Sequence, residues 1–165
     1  MGLYFTQITN AGLINLKALS ELRTLEIHGA KITDDGLREL VGSLPKLHSL
    51  CLRFTGVTDE GLKELHRLKD LRALHLQGTK VTGAGTKELA KLPQLKTLSL
   101  YGLGITDAGL EQLSSLQDLE VLDLTEARIT EAGASTWPAG IDGSPARSCC
   151  SGSRLSSPVT SQSRT

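Results

Sequence analysis

Aromatic side chains are scarce in this chain: two Phe, two Tyr and a single Trp stand among 165 residues. A compact globule draws much of its interior volume from rings. A hydrophobic share of 39% supplied almost without them implies an aliphatic core. An excess of charge is missing as well, since 18 Lys and Arg balance 18 Asp and Glu. That balance speaks against a non-specific nucleic-acid binder, whose affinity comes from clustered cations on phosphates. No stretch reaches the roughly 18 apolar residues that a membrane span requires, and the N-terminus lacks the basic start and apolar run of a secretory signal. Neither a specific nucleic acid nor a membrane is therefore expected as a partner. Cysteine is sparse too: Cys51, Cys149 and Cys150 cannot build a disulfide framework, which fits a reducing, cytoplasmic setting. Met1, Gly2 and Thr6 satisfy the loose N-myristoylation pattern, but the same residues align with a repeated strand, and that reading is adopted.

What the chain does contain is a recurring phrase. Ile8-Thr9-Asn10-Ala11-Gly12-Leu13 returns as Ile32-Thr33-Asp34-Asp35-Gly36-Leu37, then from Val57, Val81, Ile105 and Ile129. Successive first residues lie 24, 25, 24, 24 and 24 apart, with the extra residue placed near Gly42-Ser43. Between phrases run leucines such as Leu62, Leu65, Leu68, Leu71, Leu74 and Leu76. Steps of three keep side chains on one helix face, and the closing step of two is strand alternation. Each unit thus reads as helix, turn, short strand, turn, with Thr and Asp before each helix suited to an N-cap. The glycine that follows permits close packing on the neighbouring unit. One unit cannot bury its leucines alone, so the units stack, strands forming a parallel sheet on one side and helices the other.

The pattern L-x-x-L-x-L-x-x-T/A-x-I/V-T-D-x-G-L resembles that of leucine-rich-repeat proteins, specifically the cysteine-containing subtype and its bacterial relatives, over about residues 3–133. The resemblance implies an α/β solenoid of about five repeats, with strands on the concave face and helices on the convex one. It also implies binding of a protein partner. The family's Asn or Cys after the strand is replaced by Ala30, Thr55, Thr79, Leu103 and Ala127. A Thr hydroxyl can still bond the turn backbone, whereas looser turns are expected at the Ala and Leu positions.

Both ends break the pattern. Leu3 to Ile8 aligns with Leu76 to Val81, so the chain opens inside a repeat, with Tyr4 and Phe5 placed to cover the end. Residues 134–165 are rich in Ser, Gly, Pro and Arg and lack apolar periodicity, which reads as a disordered tail. The change after Gly133 suggests a shifted reading frame, with a genuine flexible tail as the alternative.

Stacking puts equivalent strand positions side by side, about 4.8 Å apart. One outward row is then Glu26, Cys51, His75, Ser99 and Asp123; the next is His28, Arg53, Gln77, Tyr101 and Thr125, with Phe54 beside Arg53. At the start of the strands lie Arg23, His48, Arg72, Lys96 and Glu120. A Cys51–His75 pair has the residue types of an activated nucleophile, and with Glu26 those of a soft metal site. An open strand surface nevertheless offers neither an enclosed pocket nor oxyanion donors, so no catalysis, metal or cofactor is expected. The same rows suit a partner-binding face. Tyr101, Phe54, Arg53 and Arg72 are its candidate anchors, and the early strands favour a partner with an acidic patch. Within the resembled family, one branch recognises substrates for F-box ubiquitin ligases. No F-box segment precedes these repeats, so that role needs an upstream region or a separate partner. A non-functional gene fragment is the third alternative.

Overall fold

The computed structural model describes residues 1–4 and 7–135. The expectations for Phe5 and for residues 136–165, including Trp137, Cys149 and Cys150, lie outside the described residues. Six strands form one parallel sheet in chain order: β1 (Gly2–Tyr4), β2 (Thr24–His28), β3 (Ser49–Arg53), β4 (Ala73–His75), β5 (Thr97–Ser99) and β6 (Val121–Asp123). The repeat length becomes the strand register. Leu25, Leu50, Leu74, Leu98 and Leu122 pair in sequence across the sheet, and Leu3 aligns with Ile27 and Leu52.

Each crossover carries a short helix: α1 (Asn10–Leu13), α2 (Asp34–Ser43), α3 (Asp59–Leu62), α4 (Thr86–Leu89), α5 (Asp107–Leu113) and, at the end, α6 (Glu131–Ser135). Helices α1 and α3 continue as 3-10 turns at Ile14–Ala18 and Lys63–Arg67, whereas α2 is α-helical throughout its 10 residues. The α-helix rises about 1.5 Å per residue against about 2.0 Å for the 3-10 form. The inserted residue at Gly42-Ser43 is thereby absorbed without lengthening the crossover. Helix α6 reaches two residues beyond the expected boundary at Gly133. Helices need more room than the spacing of about 4.8 Å between strands, so the strand side is the concave one.

Between sheet and helices runs a continuous aliphatic core. Leu25, Leu50, Leu74 and Leu98 are fully buried, as are Leu37, Leu62 and Leu65 on the helix side. Each such leucine contributes about 1.5–3 kcal/mol by leaving water. At the two ends the cover thins, and Leu3, Ile8, Leu124 and Ile129 are only partly buried.

The Thr-Asp-x-Gly phrase has a role beyond the N-cap that its sequence suggests, and its glycine packs closely on the neighbouring repeat as expected. Of the phrase threonines, Thr58, Thr82 and Thr130 cap their own helical turns, accepting from the amides of Glu60, Ala84 and Gly133, while Thr9, Thr33 and Thr106 make no side-chain cap bond. The aspartate acts across repeats. Thr58 donates its backbone N–H and its hydroxyl to the two carboxylate oxygens of Asp34, at 2.8 and 2.7 Å. Thr82 does the same to Asp59 (2.8 and 2.7 Å), and Thr130 to Asp107 (2.8 and 2.6 Å). Those bonds hold the Asp107 carboxyl below its ordinary range. Asn10 makes the first rung, accepting from the Thr33 amide at 3.0 Å and donating to its hydroxyl at 2.7 Å.

The phrase glycine makes room for this rung. A Cβ at Gly36, Gly61, Gly85 or Gly133 would lie 2.1–2.4 Å from the oxygen that the preceding repeat inserts. One rung is missing, because Gly83 stands where Asp is due. Across that junction the Thr86 hydroxyl pairs with the Gln112 side chain at 3.0 Å instead. A second correction concerns the turns after the strands. Thr55 and Thr79 do donate to the carbonyls of Leu52 and Leu76 (2.8 and 2.7 Å). Leu103 and Ala127 close their turns through backbone N–H bonds of 3.2 and 2.8 Å, comparable with 3.1 Å at Thr79. At Leu103 and Ala127 the backbone thus closes the turn without a side chain, contrary to the looseness expected there; among the described residues the equivalent bond is not made at Ala30.

These contacts separate two chemically identical substitutions. At Gly61 a methyl group collides with Asp34, so Gly61→Ala should cost about 1–3 kcal/mol. At Gly109, which faces no inserted carboxylate, the nearest atom is Ile105 Cγ2 at 3.1 Å. Gly109→Ala should be close to neutral, the helix-propensity gain of about 1 kcal/mol offsetting the contact. Urea denaturation of the two variants checks this ordering.

Candidate partner-binding face

The strand register brings Glu26, Cys51, His75, Ser99 and Asp123 into one row, as the repeat spacing predicts. Their availability differs. Cys51 and Ser99 are buried, only 5% and 3% exposed, so their place in the outward row does not make the Cys51 thiol accessible. A short side chain flanked by Glu26 and His75 lies low on the sheet. Ser99 donates to Asp123 Oδ2 at 3.0 Å. Among the described residues, no group of three or more His, Cys, Asp and Glu side chains is placed to hold a metal ion.

His75 sits half-buried at the centre of this row. Burial, reinforced by the nearby Arg53 guanidinium, lowers its pKa from 6.5, against smaller opposing pulls from Glu26 and Asp123. Two nitrogens here are buried and lack a hydrogen-bond partner, His75 Nδ1 and Arg53 Nε. Burying an unpartnered polar nitrogen is costly, so this part of the sheet carries an unspent capacity for polar contacts.

The neighbouring row, also as expected, aligns His28 with Arg53; Gln77 and Tyr101 occupy the equivalent positions after β4 and β5. At the N-terminal side, Tyr4 donates its hydroxyl to Glu26 and meets the His28 ring edge-on, 6.3 Å between centroids. At the other side, Tyr101 donates to Glu126 Oε1 at 2.7 Å, which raises the phenol pKa. Of the residues at the strand starts, Arg23 and Arg72 are exposed, whereas Lys96 pairs with Glu120 and His48 Nδ1 is 2.8 Å from the Lys46 carbonyl. Phe54, beside Arg53, is 51% exposed and does not pack into its turn.

On the helix side most cations are paired, Lys87 being an exception among the described residues. Lys17 pairs with Glu39, Arg38 with Asp35 and Glu64, Lys63 with Glu60, Arg67 with Glu64, and Lys91 with Glu88. A cleft of about 460 Å³ there is lined by Lys17, Arg38, Glu39, Gly42, Ser43 and Arg67, so its three cations are already neutralised by carboxylates. On the strand side the pattern reverses. Arg23, Arg53 and Arg72 form no ion pair among the described residues. No helix among the described residues is long and apolar enough to cross a membrane.

A family model described as a leucine-rich repeat matches residues 19–41 and 43–65. Among solved structures, the chain is similar to the leucine-rich-repeat ectodomain of the receptor kinase SOBIR1 from Arabidopsis thaliana. The identity is 19% and the TM-score 0.50, over 78% of this chain and 70% of that one. It is also similar to internalin C2 from Listeria monocytogenes str. 4b F2365, at 28% identity and a TM-score of 0.56, over 79% of this chain. It covers 53% of the internalin chain, or about half its length. A comparison with curated proteins gave no match.

The lowered His75 pKa sets a pH dependence. The folded state resists protonation of this ring, so folding is unaffected above the ordinary imidazole pKa and loses stability as pH falls below about 6.5 toward the folded value. Urea midpoints should therefore drop from about pH 7 to about pH 5 more in the native protein than in His75→Gln. An equal drop in both would remove His75 from the account.

Proposed function

We propose that this leucine-rich-repeat protein is a binding module that holds a macromolecular protein partner on its concave strand face. The observation that carries the reading is the asymmetry of its two sides. The helix side pairs most of its cations internally, Lys87 excepted, while the strand side presents Arg23, Arg53 and Arg72 without carboxylate partners among the described residues, next to exposed or half-exposed aromatic side chains. Arg and aromatic residues dominate binding energy in protein interfaces, and unpaired guanidinium groups present bidentate donors to a partner's carboxylates. Leucine-rich-repeat proteins generally serve protein–protein interaction, and the likeness to such proteins supports this reading.

Arg53 and Tyr101 act as anchors two strands apart, with Gln77 between them. Arg72 and Arg23 steer an acidic surface toward the early strands, and Lys96 contributes less because Glu120 already engages it. Buried Cys51 and Ser99 shape the floor of the face and make no direct contact. The row gains no reaction from Cys51 and His75 lying side by side, because the buried thiol is shielded from substrate.

Site-specific cross-linking tests the assignment of side. A photo-reactive residue in place of Gln77, on the strand face, should give a discrete protein adduct in cells. The same residue in place of Lys87, exposed on the helix side, should not. Arg53→Ala or Tyr101→Ala should weaken the Gln77 adduct by roughly tenfold, as expected of hot-spot truncations. A discrete adduct from Lys87 alone, or from neither position, contradicts the proposal.

A further inference from the structure

The residue that leaves each of the strands β2 to β6 is left-handed: Gly29 (φ 67°), Phe54 (53°), Gly78 (68°), Gly102 (72°) and Glu126 (65°). Glycine takes this conformation freely, whereas a side chain is strained in it. At Phe54 the strain brings no burial, because the side chain is 51% exposed. Its ring instead stacks on the His28 imidazole of the preceding repeat, with centroids 5.1 Å apart and planes 17° from parallel. It also lies over Gly78 of the following repeat, where a Cβ would come within 2.4 Å of it. With Tyr4 edge-on to His28, three rings make a ledge along the edge of the sheet where the strands end.

Two residues beyond the left-handed position runs another aligned row: Lys31, Gly56, Lys80, Gly104 and Arg128. Parallel backbone bonds align it, from Lys31 to Ile8, Gly56 to Ile32, Lys80 to Val57 and Arg128 to Ile105. Lys31 and Lys80 flank the Phe54 repeat, about 10 Å apart along the stack at the usual strand spacing. Both are exposed, and neither has a carboxylate within ion-pairing distance among the described residues, nor does Arg53. An exposed, strained aromatic residue flanked by unneutralised cations is a feature that folding does not require, and such strain concentrates where a ligand is bound.

We propose that this ledge binds an acidic peptide segment of the protein partner, one carrying an aromatic or aliphatic side chain. The apolar side chain packs on the Phe54–His28 stack, and carboxylates on either side of it pair with Lys31, Arg53 and Lys80. The proposal rests on the strand-side reading above and gives the partner its chemistry. A peptide fits better than a nucleic acid. The protein carries no net charge, whereas binding a phosphate backbone needs many cations.

The test uses the full chain and a fluorescein-labelled synthetic peptide, rich in Asp and Glu with one central Phe, followed by fluorescence anisotropy. Saturable binding that weakens with salt is expected, and replacement of the peptide Phe by Ser should abolish it. Phe54→Gly should lose roughly tenfold or more in affinity, while its melting temperature stays the same or rises, since glycine is relaxed at this backbone position. The Lys31→Glu, Lys80→Glu double variant should lose binding comparably. Undiminished affinity in Phe54→Gly overturns the proposal, as does tighter binding of a single-stranded oligonucleotide than of the peptide. If the peptide fails to bind while the Gln77 cross-linker still captures a protein, the acidic-peptide assignment falls and the strand-face function stands. If the peptide binds through Phe54 but Gln77 captures nothing, the ledge stands and the strand-face reading falls.

Discussion

Every repeat but one hands a polar side chain to the next. The carboxylate of Asp34, Asp59 or Asp107, or the amide of Asn10, takes the backbone N–H or hydroxyl of the following repeat's threonine, against a glycine with no Cβ to obstruct it. Leucine burial supplies most of the stabilisation but is non-directional; it holds repeats together without fixing how they sit. The directional rung fixes it. Spacing and rotation of adjacent repeats then determine which strand residues stand side by side, and hence the composition of the binding face. At Gly83 the rung is absent, and a Thr86–Gln112 contact on the helix side takes its place.

This rigid stacking separates two kinds of surface. The helices carry charges of both signs close together, which neutralise one another across turns and between repeats. Strand residues point outward at fixed intervals; some find partners there, as Ser99 does in Asp123 and Tyr101 in Glu126, whereas Arg23, Arg53 and Arg72 form no ion pair among the described residues. Arg53 illustrates the result: its Nε is buried without a partner beside a His75 imidazole whose pKa burial lowers. On the proposed reading, a docked partner completes the polar contacts of this surface. The strained Phe54 adds an apolar foothold at the rim of the same face.

Much of this was legible from the residues alone. The spacing of 24 or 25 residues predicts the strand pairing, and with it the row from Glu26 to Asp123. It does so because in a parallel stack one period of sequence is one step across the sheet. What escaped the reading were consequences of side-chain length and of contacts between repeats. Asp34 and Asp59 resemble helix N-terminal residues, and only the packed neighbour shows that they reach to the next threonine. Cys51 counts as an outward residue by alternation, yet its short side chain leaves it buried. Phe54 could have been found: it stands in frame with Gly29, Gly78 and Gly102, and a bulky residue in a glycine frame signals a left-handed backbone held for a purpose. Nothing in the sequence marks the pairing of helix-side cations against the unpaired strand-side ones, because that depends on which carboxylates come within reach.

Hydrogen exchange at the phrase threonines tests the directional rung most directly. The amides of Thr58, Thr82 and Thr130 donate to carboxylates of the preceding repeat, whereas Thr106 faces Gly83 and has no such acceptor. The account predicts strong protection at Thr58, Thr82 and Thr130 and fast exchange at Thr106, despite near-identical local sequence. Equal protection at all four would show that the leucine core alone sets the stacking, and would contradict the claim that the carboxylate–threonine–glycine contact builds this face.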